Sequence, residues 1–162
     1  EHYSRKLDRG EVGWDIVAGL GRTGSSMTVL PPTVSAVTGS DIVTSSPVLE
    51  YDVYLFTTGI VTVNLYYSPT RPISGSHGLR YAVSFDEEAP VQISGGSAST
   101  MDNVRKMKGE FTISEIGQHV LKVWMVDPGM VLDKIVIDTQ GVADSYLGPP
   151  ESFANREQPV AR

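Results

Sequence analysis

The chain has 162 residues, of which 40% are apolar and 20% are charged, so it is long enough for a globular domain with its own core. The formal net charge of −6 argues against nucleic-acid binding, because the negatively charged phosphates bind to basic surfaces. The absence of cysteine excludes disulfides, zinc thiolates and cysteine nucleophiles. No run reaches the roughly 18 apolar residues of a membrane-spanning helix, so no membrane partner is expected.

The first part of the chain is predicted to hold short strands separated by loops. Residues 1–13 are polar and predict the end of a strand and a loop, and residues 14–17 form a short apolar run. The glycine-rich residues 19–26 lack the Lys-Ser/Thr ending and the following helix of a phosphate-binding loop, so a tight turn is favoured over nucleotide binding. Residues 27–30 predict a strand that ends at two prolines, and residues 33–47 predict a weak strand and a loop.

The middle of the chain contains the clearest alternation of apolar and polar residues, which is typical of strands. Tyr66 and Tyr67 are adjacent there, so one is predicted to face the core and the other solvent. Residues 94–103 are rich in Gly and Ser and predict a loop, and residues 104–107 are predicted to form one helical turn. The predicted strands of this part are residues 48–55, 60–69, 79–85, 90–93 and 110–113.

Residues 117–138 contain two strand-like runs joined by a turn at Asp127-Pro128-Gly129, where Pro presets φ and Gly takes positive φ freely. Trp124 lies mid-strand beside apolar neighbours and is predicted to lie in the core or on a sheet face. Short strands about ten residues apart, without a convincing amphipathic helix, predict an all-β sandwich or jelly roll.

Two glycine-containing motifs carry a resemblance to a known family: Gly-Leu-Gly-Arg-Thr-Gly at residues 19–24 and Leu-Gly-Pro-Pro-Glu-Ser at residues 147–152. With the strand sequences between them, they make the chain similar to the C-terminal domain of family 115 glycoside hydrolases, the xylan α-glucuronidases. The resemblance covers most of residues 1–152. It implies a galactose-binding-type jelly-roll β-sandwich over residues 1–152, similar to family 6 and family 35 carbohydrate-binding modules, with a tail at residues 153–162.

The resemblance also implies a function. Such domains are non-catalytic modules of secreted or periplasmic bacterial enzymes, and they hold plant hemicellulose, here xylan or glucuronoxylan, near the catalytic domain of a parent enzyme. Glu1 and Asp133 are the implied ligands of a structural calcium ion, although the usual Glu-x-Glu strand is represented only by Glu1-His2-Tyr3-Ser4. Met101 lies where these modules often place a sugar-stacking tryptophan.

The predicted sugar site combines an aromatic face with polar groups, because pyranose rings present both C–H faces and hydroxyls. Trp14, beside the glycine-rich loop, is the predicted stacking ring; packing at the edge of the sandwich is the alternative. Arg22 is predicted to pair with a uronic-acid carboxylate, against a loop salt bridge or an exposed arginine. Asn103 and Asp127 are predicted to contact hydroxyls from loops, against a role as turn residues.

Catalysis is not expected from the sequence. The three histidines lack metal-ligand spacing, and there is no Gly-x-Ser-x-Gly nucleophile motif. His119 is predicted to be structural, and the acidic residues 86–88 are predicted to form a solvated turn. Two other functions remain open: a structural or dimerisation module that binds no glycan, and an esterase or other hydrolase whose catalytic constellation the sequence does not reveal.

Overall fold

The computed structural model describes residues 1–21, 24–68, 70, 78–95, 104–143, 145 and 148–153. These residues form one short helix and a series of strands that occupies most of the chain. In chain order the elements are β1 (Arg5–Leu7), β2 (Gly13–Val17), β3 (Ser26–Leu30), α1 (Asp41–Ser45), β4 (Val48–Leu55), β5 (Gly59–Ser68), β6 (Arg80–Phe85), β7 (Val91–Ser94), β8 (Arg105–Ile113), β9 (Gly117–Met125) and β10 (Val131–Asp138).

The strands pair into two five-stranded sheets. The first sheet has the order β1-β4-β9-β6-β7 and the second the order β2-β3-β10-β5-β8. Every pairing in both sheets is antiparallel. Most connections cross from one sheet to the other, and only β2–β3 and β6–β7 join strands of the same sheet, so the predicted jelly-roll sandwich is confirmed.

The main core lies between the two sheets, and alternate residues of each strand fill it. In β9, Leu121, Val123 and Met125 face inward and are at most 1% exposed. The second sheet contributes residues such as Val63 and Leu65 from β5, which are fully buried. Burial at about 25 cal/mol per Å² of apolar surface makes this layer the main source of stability.

A second, smaller cluster covers the outer face of the first sheet. Helix α1 places Ile42 against this face, where it packs with four other buried residues. The segment before α1 is fixed by a hydrogen bond from the Val37 N–H to the Val126 carbonyl, at 2.9 Å. The buried members of this cluster are Ile42, Val48, Ala82, Trp124 and Val126. The prediction that Trp124 lies in the core or on a sheet face is therefore confirmed, and helix α1 covers that face.

Two local predictions are wrong. Residues 105–107 are not a helical turn, because they begin strand β8 and pair with β5 from Arg105 onward. The segment 33–47 contains the helix α1 instead of a weak strand.

The prediction for the adjacent tyrosines is confirmed: Tyr67 is 2% exposed, while Tyr66 is half-buried on the other face. Among the described residues, no helix has the length and hydropathy needed to cross a membrane.

Candidate functional site

A groove of about 560 Å³ opens beside β2, between the β1–β2 connection and the residues that end and follow β3. Its volume falls within the range of small-molecule sites. The β1–β2 connection contributes charged side chains, and the other side is aliphatic. The residues that line it are Lys6, Asp8, Gly10, Glu11, Val12, Gly13, Trp14, Asp15, Leu30, Pro31 and Pro32.

The polar side of the groove is held in place by a short hydrogen-bond network. Lys6 Nζ donates to the Trp14 carbonyl at 2.8 Å and lies 3.1 Å from Asp8 Oδ2. Asp8 Oδ1 accepts from the Trp14 N–H at 3.3 Å. A Cβ atom on Gly13 would come within 2.4 Å of Asp8 Oδ1, so a glycine at this position leaves room for the carboxylate. The Asp8 carboxylate is therefore positioned before any ligand arrives.

The groove combines the two kinds of contact that a sugar needs. Asp8, Glu11 and Asp15 supply three carboxylates against the single ammonium of Lys6, and carboxylates accept hydrogen bonds from hydroxyls. Leu30 is 41% exposed and the two prolines after it are also exposed, which gives an aliphatic surface for pyranose C–H groups. The excess of negative charge favours neutral ligands over carboxylated ones.

Trp14 is a core residue. Its side chain is 1% exposed, and its ring stacks on Tyr81 with the centroids 6.0 Å apart. Its indole Nε1–H donates to the Pro47 carbonyl at 3.1 Å. The prediction that a sugar stacks on Trp14 is therefore wrong, because neither face of the ring is open to solvent. The alternative is what the structure shows: the ring packs inside the sandwich and supports the floor of the groove.

Asp127 lies in the β9–β10 turn, but its carboxylate is already engaged. It is 5% exposed and accepts from Arg80 Nε and Nη2, both at 2.8 Å. These hydrogen bonds raise the pKa of Arg80. The predicted role of Asp127 as a direct sugar contact is thus corrected to that of a positioning residue, while Arg80 keeps 23% of its side chain exposed. Sequence reasoning missed Arg80, because a pair 47 residues apart leaves no local pattern.

Two predicted sugar contacts, Arg22 and Asn103, lie outside the described residues. Their placement relative to the groove and to Arg80 therefore stays a prediction.

The glycine-rich loop brings the two predicted calcium ligands to the same place. A Cβ atom on Gly24 would collide with the Glu1 carboxylate, and one on Gly21 would lie 3.1 Å from Asp133 Oδ1. The Ser25 N–H donates to Glu1 Oε2 at 2.9 Å. Burial acts against ionisation of Glu1, but the hydrogen bonds from Ser25 outweigh it and lower the pKa of this carboxyl. Two carboxylates at a turn with nearby backbone carbonyls are the donor types that calcium prefers.

These carboxylates do not by themselves complete a metal site. Calcium takes about six to eight oxygens, so backbone carbonyls of the loop would have to supply part of the shell. Among the described residues there is no group of three or more His, Cys, Asp or Glu side chains arranged to hold a metal.

The environment of His119 is structural. Its Nδ1 lies 2.7 Å from Asp86 Oδ2, and its Nε2 lies 3.0 Å from the Glu115 carbonyl. The hydrogen bond to Asp86 raises the pKa of His119. Asp86 has φ +50° and also accepts from the Val120 N–H at 2.8 Å, so the pair clamps the turn after β6 onto β9. Both ring nitrogens are therefore engaged in contacts that hold this turn.

Fold and groove together define a β-sandwich of the kind found in carbohydrate-binding modules. The chain belongs to the glycosyl hydrolase family 115 C-terminal domain family, whose model matches residues 1–151. A comparison with curated protein sequences gives no significant match.

Solved structures agree on the fold. A family GH115 4-O-methyl-α-glucuronidase with specificity for decorated arabinogalactans is 17% identical, with a TM-score of 0.61, and the match covers 87% of this chain and 18% of the enzyme. CsCBM6-3 from Clostridium stercorarium, solved with cellobiose, is 15% identical, with a TM-score of 0.51 and coverages of 86% and 89%. A family 35 carbohydrate-binding module from Clostridium thermocellum is 12% identical, with a TM-score of 0.52 and coverages of 82% and 90%. The chain thus spans less than a fifth of the length of the GH115 enzyme and nearly all of each module.

Proposed function

We propose that the protein is a non-catalytic carbohydrate-binding module that holds plant hemicellulose for a glycoside hydrolase, in the secreted or periplasmic space of a bacterium. The groove beside β2 is the observation that carries the proposal. It joins a fixed carboxylate, Asp8, to an aliphatic surface at Leu30, and a saccharide needs this combination of contacts. Membership of a glycoside hydrolase domain family supports the accessory role.

The ligand class follows from the charge of the groove. Three carboxylates against one lysine repel a uronic acid, so the neutral xylose backbone of xylan is the part that binds here. Uronic-acid decorations of glucuronoxylan are left for contacts outside the groove. The guanidinium of Arg80 is suited to them, because Asp127 fixes its orientation and part of it is exposed.

Binding is tested by affinity electrophoresis of the 162-residue chain in gels that contain xylan, glucuronoxylan, arabinogalactan or pectin. We expect retardation in xylan and glucuronoxylan and less in pectin, whose carboxylates meet the acidic groove. Asp15→Asn is expected to weaken retardation several-fold, because it replaces one of the two acceptor oxygens of the carboxylate with an amide donor. Asp41→Asn, at an exposed aspartate of α1, is the matched control. No retardation in any glycan would refute the proposed function.

Calcium is proposed as a structural ion at the glycine-rich loop, held by Glu1 and Asp133. Its part would be to tie the N-terminal residues to β10, so its measurable effect is on stability. We expect calcium at millimolar concentration to raise the melting temperature of the metal-stripped chain, and magnesium to do so less. Asp133→Asn should abolish the calcium effect, and Asp138→Asn should keep it. Equal melting temperatures with calcium and with chelator would refute the site.

A further inference from the structure

A second cleft, which we call the outer cleft, lies on the outer face of the first sheet and has a volume of about 360 Å³. One wall is the start of α1, which contributes Ser40 and Val43, and the other wall is the turn at residues 86–90 between β6 and β7. Lys122 and Trp124 of β9 line the cleft between these walls. Its volume is within the range of small-molecule sites.

Both walls of the outer cleft are held in place by contacts within the domain. On the helix side, Arg9 Nη2 donates to the Val43 carbonyl at 2.9 Å. On the turn side, the Asp86 N–H donates to the Val120 carbonyl at 2.8 Å, and the Asp86 carboxylate accepts from the Val120 N–H at the same distance. A ligand therefore meets a preformed cleft, which lowers the entropy cost of binding.

The polar groups of the outer cleft suit the hydroxyls of a sugar. Lys122 Nζ donates to Glu87 Oε1 at 2.9 Å, which fixes an ammonium beside a carboxylate. Ser40 is exposed at the N-cap of α1 and makes no capping hydrogen bond, so its hydroxyl is available to a ligand. Glu88 adds a second exposed carboxylate. These groups can both donate to and accept from hydroxyls, and the excess of carboxylates disfavours an anionic ligand.

The outer cleft has the same chemical composition as the groove beside β2. Each contains a lysine paired with a carboxylate, at 3.1 Å in the groove and 2.9 Å in the outer cleft. Each has proline in its lining and an exposed aliphatic side chain, which is Leu30 at 41% in the groove and Val43 at 50% in the outer cleft. Each also lies against a buried tryptophan, Trp14 or Trp124. The shared composition indicates a shared class of ligand.

We propose that the outer cleft is a second binding site for a neutral saccharide, of the same class as the glycan in the groove. The ligand class rests on the proposed function, whereas the cleft itself rests on its own residues. Two sites on one module bind a polysaccharide with greater avidity than either site alone. The domain thereby holds glycan on two different faces.

Amide chemical shifts of the 162-residue chain, followed by nuclear magnetic resonance during titration with xylohexaose, report the two sites separately. We expect the amides of residues 39–43 and 86–89 to shift with binding in the outer cleft, and those of residues 10–15 with binding in the groove. Val43→Ser removes the exposed methyl groups of the helix wall. It should weaken the binding reported by residues 86–89 by about fivefold to tenfold and leave that reported by residues 10–15 unchanged.

The matched control is Val91→Ser, which should leave both dissociation constants unchanged. Val91 is 48% exposed, and it pairs with Val83, which faces the main core, so its side chain lies on the side of β7 opposite to the outer cleft. Glu88→Gln is the second test variant, because it changes the turn wall and leaves α1 intact. It should weaken binding in the outer cleft several-fold.

The outcomes separate this proposal from the function proposed for the groove. Shifts confined to residues 10–15 would refute the outer cleft and support the groove. Shifts confined to residues 39–43 and 86–89 would support the outer cleft and refute the groove, and shifts at neither place would refute both. A dissociation constant at residues 86–89 that neither Val43→Ser nor Glu88→Gln changes would also overturn the assignment of the outer cleft.

Discussion

Truncation of Trp14 tests whether this residue belongs to the core or to a sugar-binding surface. The side chain is 1% exposed, so Trp14→Ala leaves a large cavity between the sheets, at a cost of about 3–5 kcal/mol. It also leaves the Pro47 carbonyl without its indole donor, which adds roughly 1 kcal/mol or more. A domain of this size has about 5–15 kcal/mol of stability, so the variant is expected to be close to unfolding.

The conservative change separates packing from hydrogen bonding. Trp14→Phe keeps a ring against Tyr81 but loses the Nε1–H donor and some volume, so a smaller loss of about 1–3 kcal/mol is expected. The assay is urea unfolding followed by far-ultraviolet circular dichroism. With a slope of about 1–3 kcal/mol per molar urea, a loss of this size moves the midpoint by roughly 0.3–3 M.

The matched control is an aromatic residue on the surface. Phe56 is 76% exposed, so Phe56→Ala in the isolated chain is expected to change the free energy of unfolding by less than about 0.5 kcal/mol. If Trp14→Ala shifts the midpoint no further than Phe56→Ala does, the ring is not a core residue. Loss of glycan binding with unchanged stability would restore Trp14 as a stacking platform.

The side-chain contacts that hold the loops and the groove wall can each be tested by substitution. The pKa of His119 is raised in the folded state, so its contribution to stability is full below the unfolded value of 6.5 and is lost as pH rises through the folded pKa. The pKa of Asp86 is lowered, so its contribution is present above 3.8 and is lost as pH falls through the folded pKa. The stability lost in His119→Gln, measured by urea unfolding, should therefore be largest near pH 5 and shrink toward pH 9. A double-mutant cycle of Asp127→Asn and Arg80→Met should give a coupling energy of about 1–3 kcal/mol, and a value near zero would show the pair to be fully screened. Gly13→Ala should displace the Asp8 carboxylate in the groove wall and weaken xylan binding in affinity gels several-fold. The free energy of unfolding should fall by no more than about 1 kcal/mol. Unchanged retardation would contradict the role of that carboxylate.

The sequence specified the fold better than the site, for physical reasons. Alternation along β9 places Leu121 and Trp124 on opposite faces, and the structure buries each on its own side of the first sheet. The alternation of side chains along a strand does not tell whether a sheet face is exposed or covered. For Trp14 it is therefore compatible both with stacking on a sugar and with packing in the core. Residues 105–107 begin the edge strand β8, although the sequence Val-Arg-Lys-Met at residues 104–107 also fits a helical turn, and only pairing with β5 decides between them.

Contacts between distant residues were beyond the reach of local patterns. The Arg80–Asp127 pair joins two strand ends that meet only because β6 and β9 are neighbours in the first sheet. The groove depends on Asp8, Gly13 and Leu30, which lie in three different segments. Glu1 and Asp133 were predicted together through the family resemblance, and the structure places both at the glycine-rich loop.

The cluster beneath α1 divides the stability of the domain into two parts. Ile42 and Trp124 pack outside the first sheet, whereas Val34 and Val37 also pack against the main core, so helix α1 alone can detach without exposing that core. We expect local opening of this helix to make Trp124 accessible while the sandwich stays folded. Such a state is where a protease would cut first, and its population is set by the few side chains around Ile42.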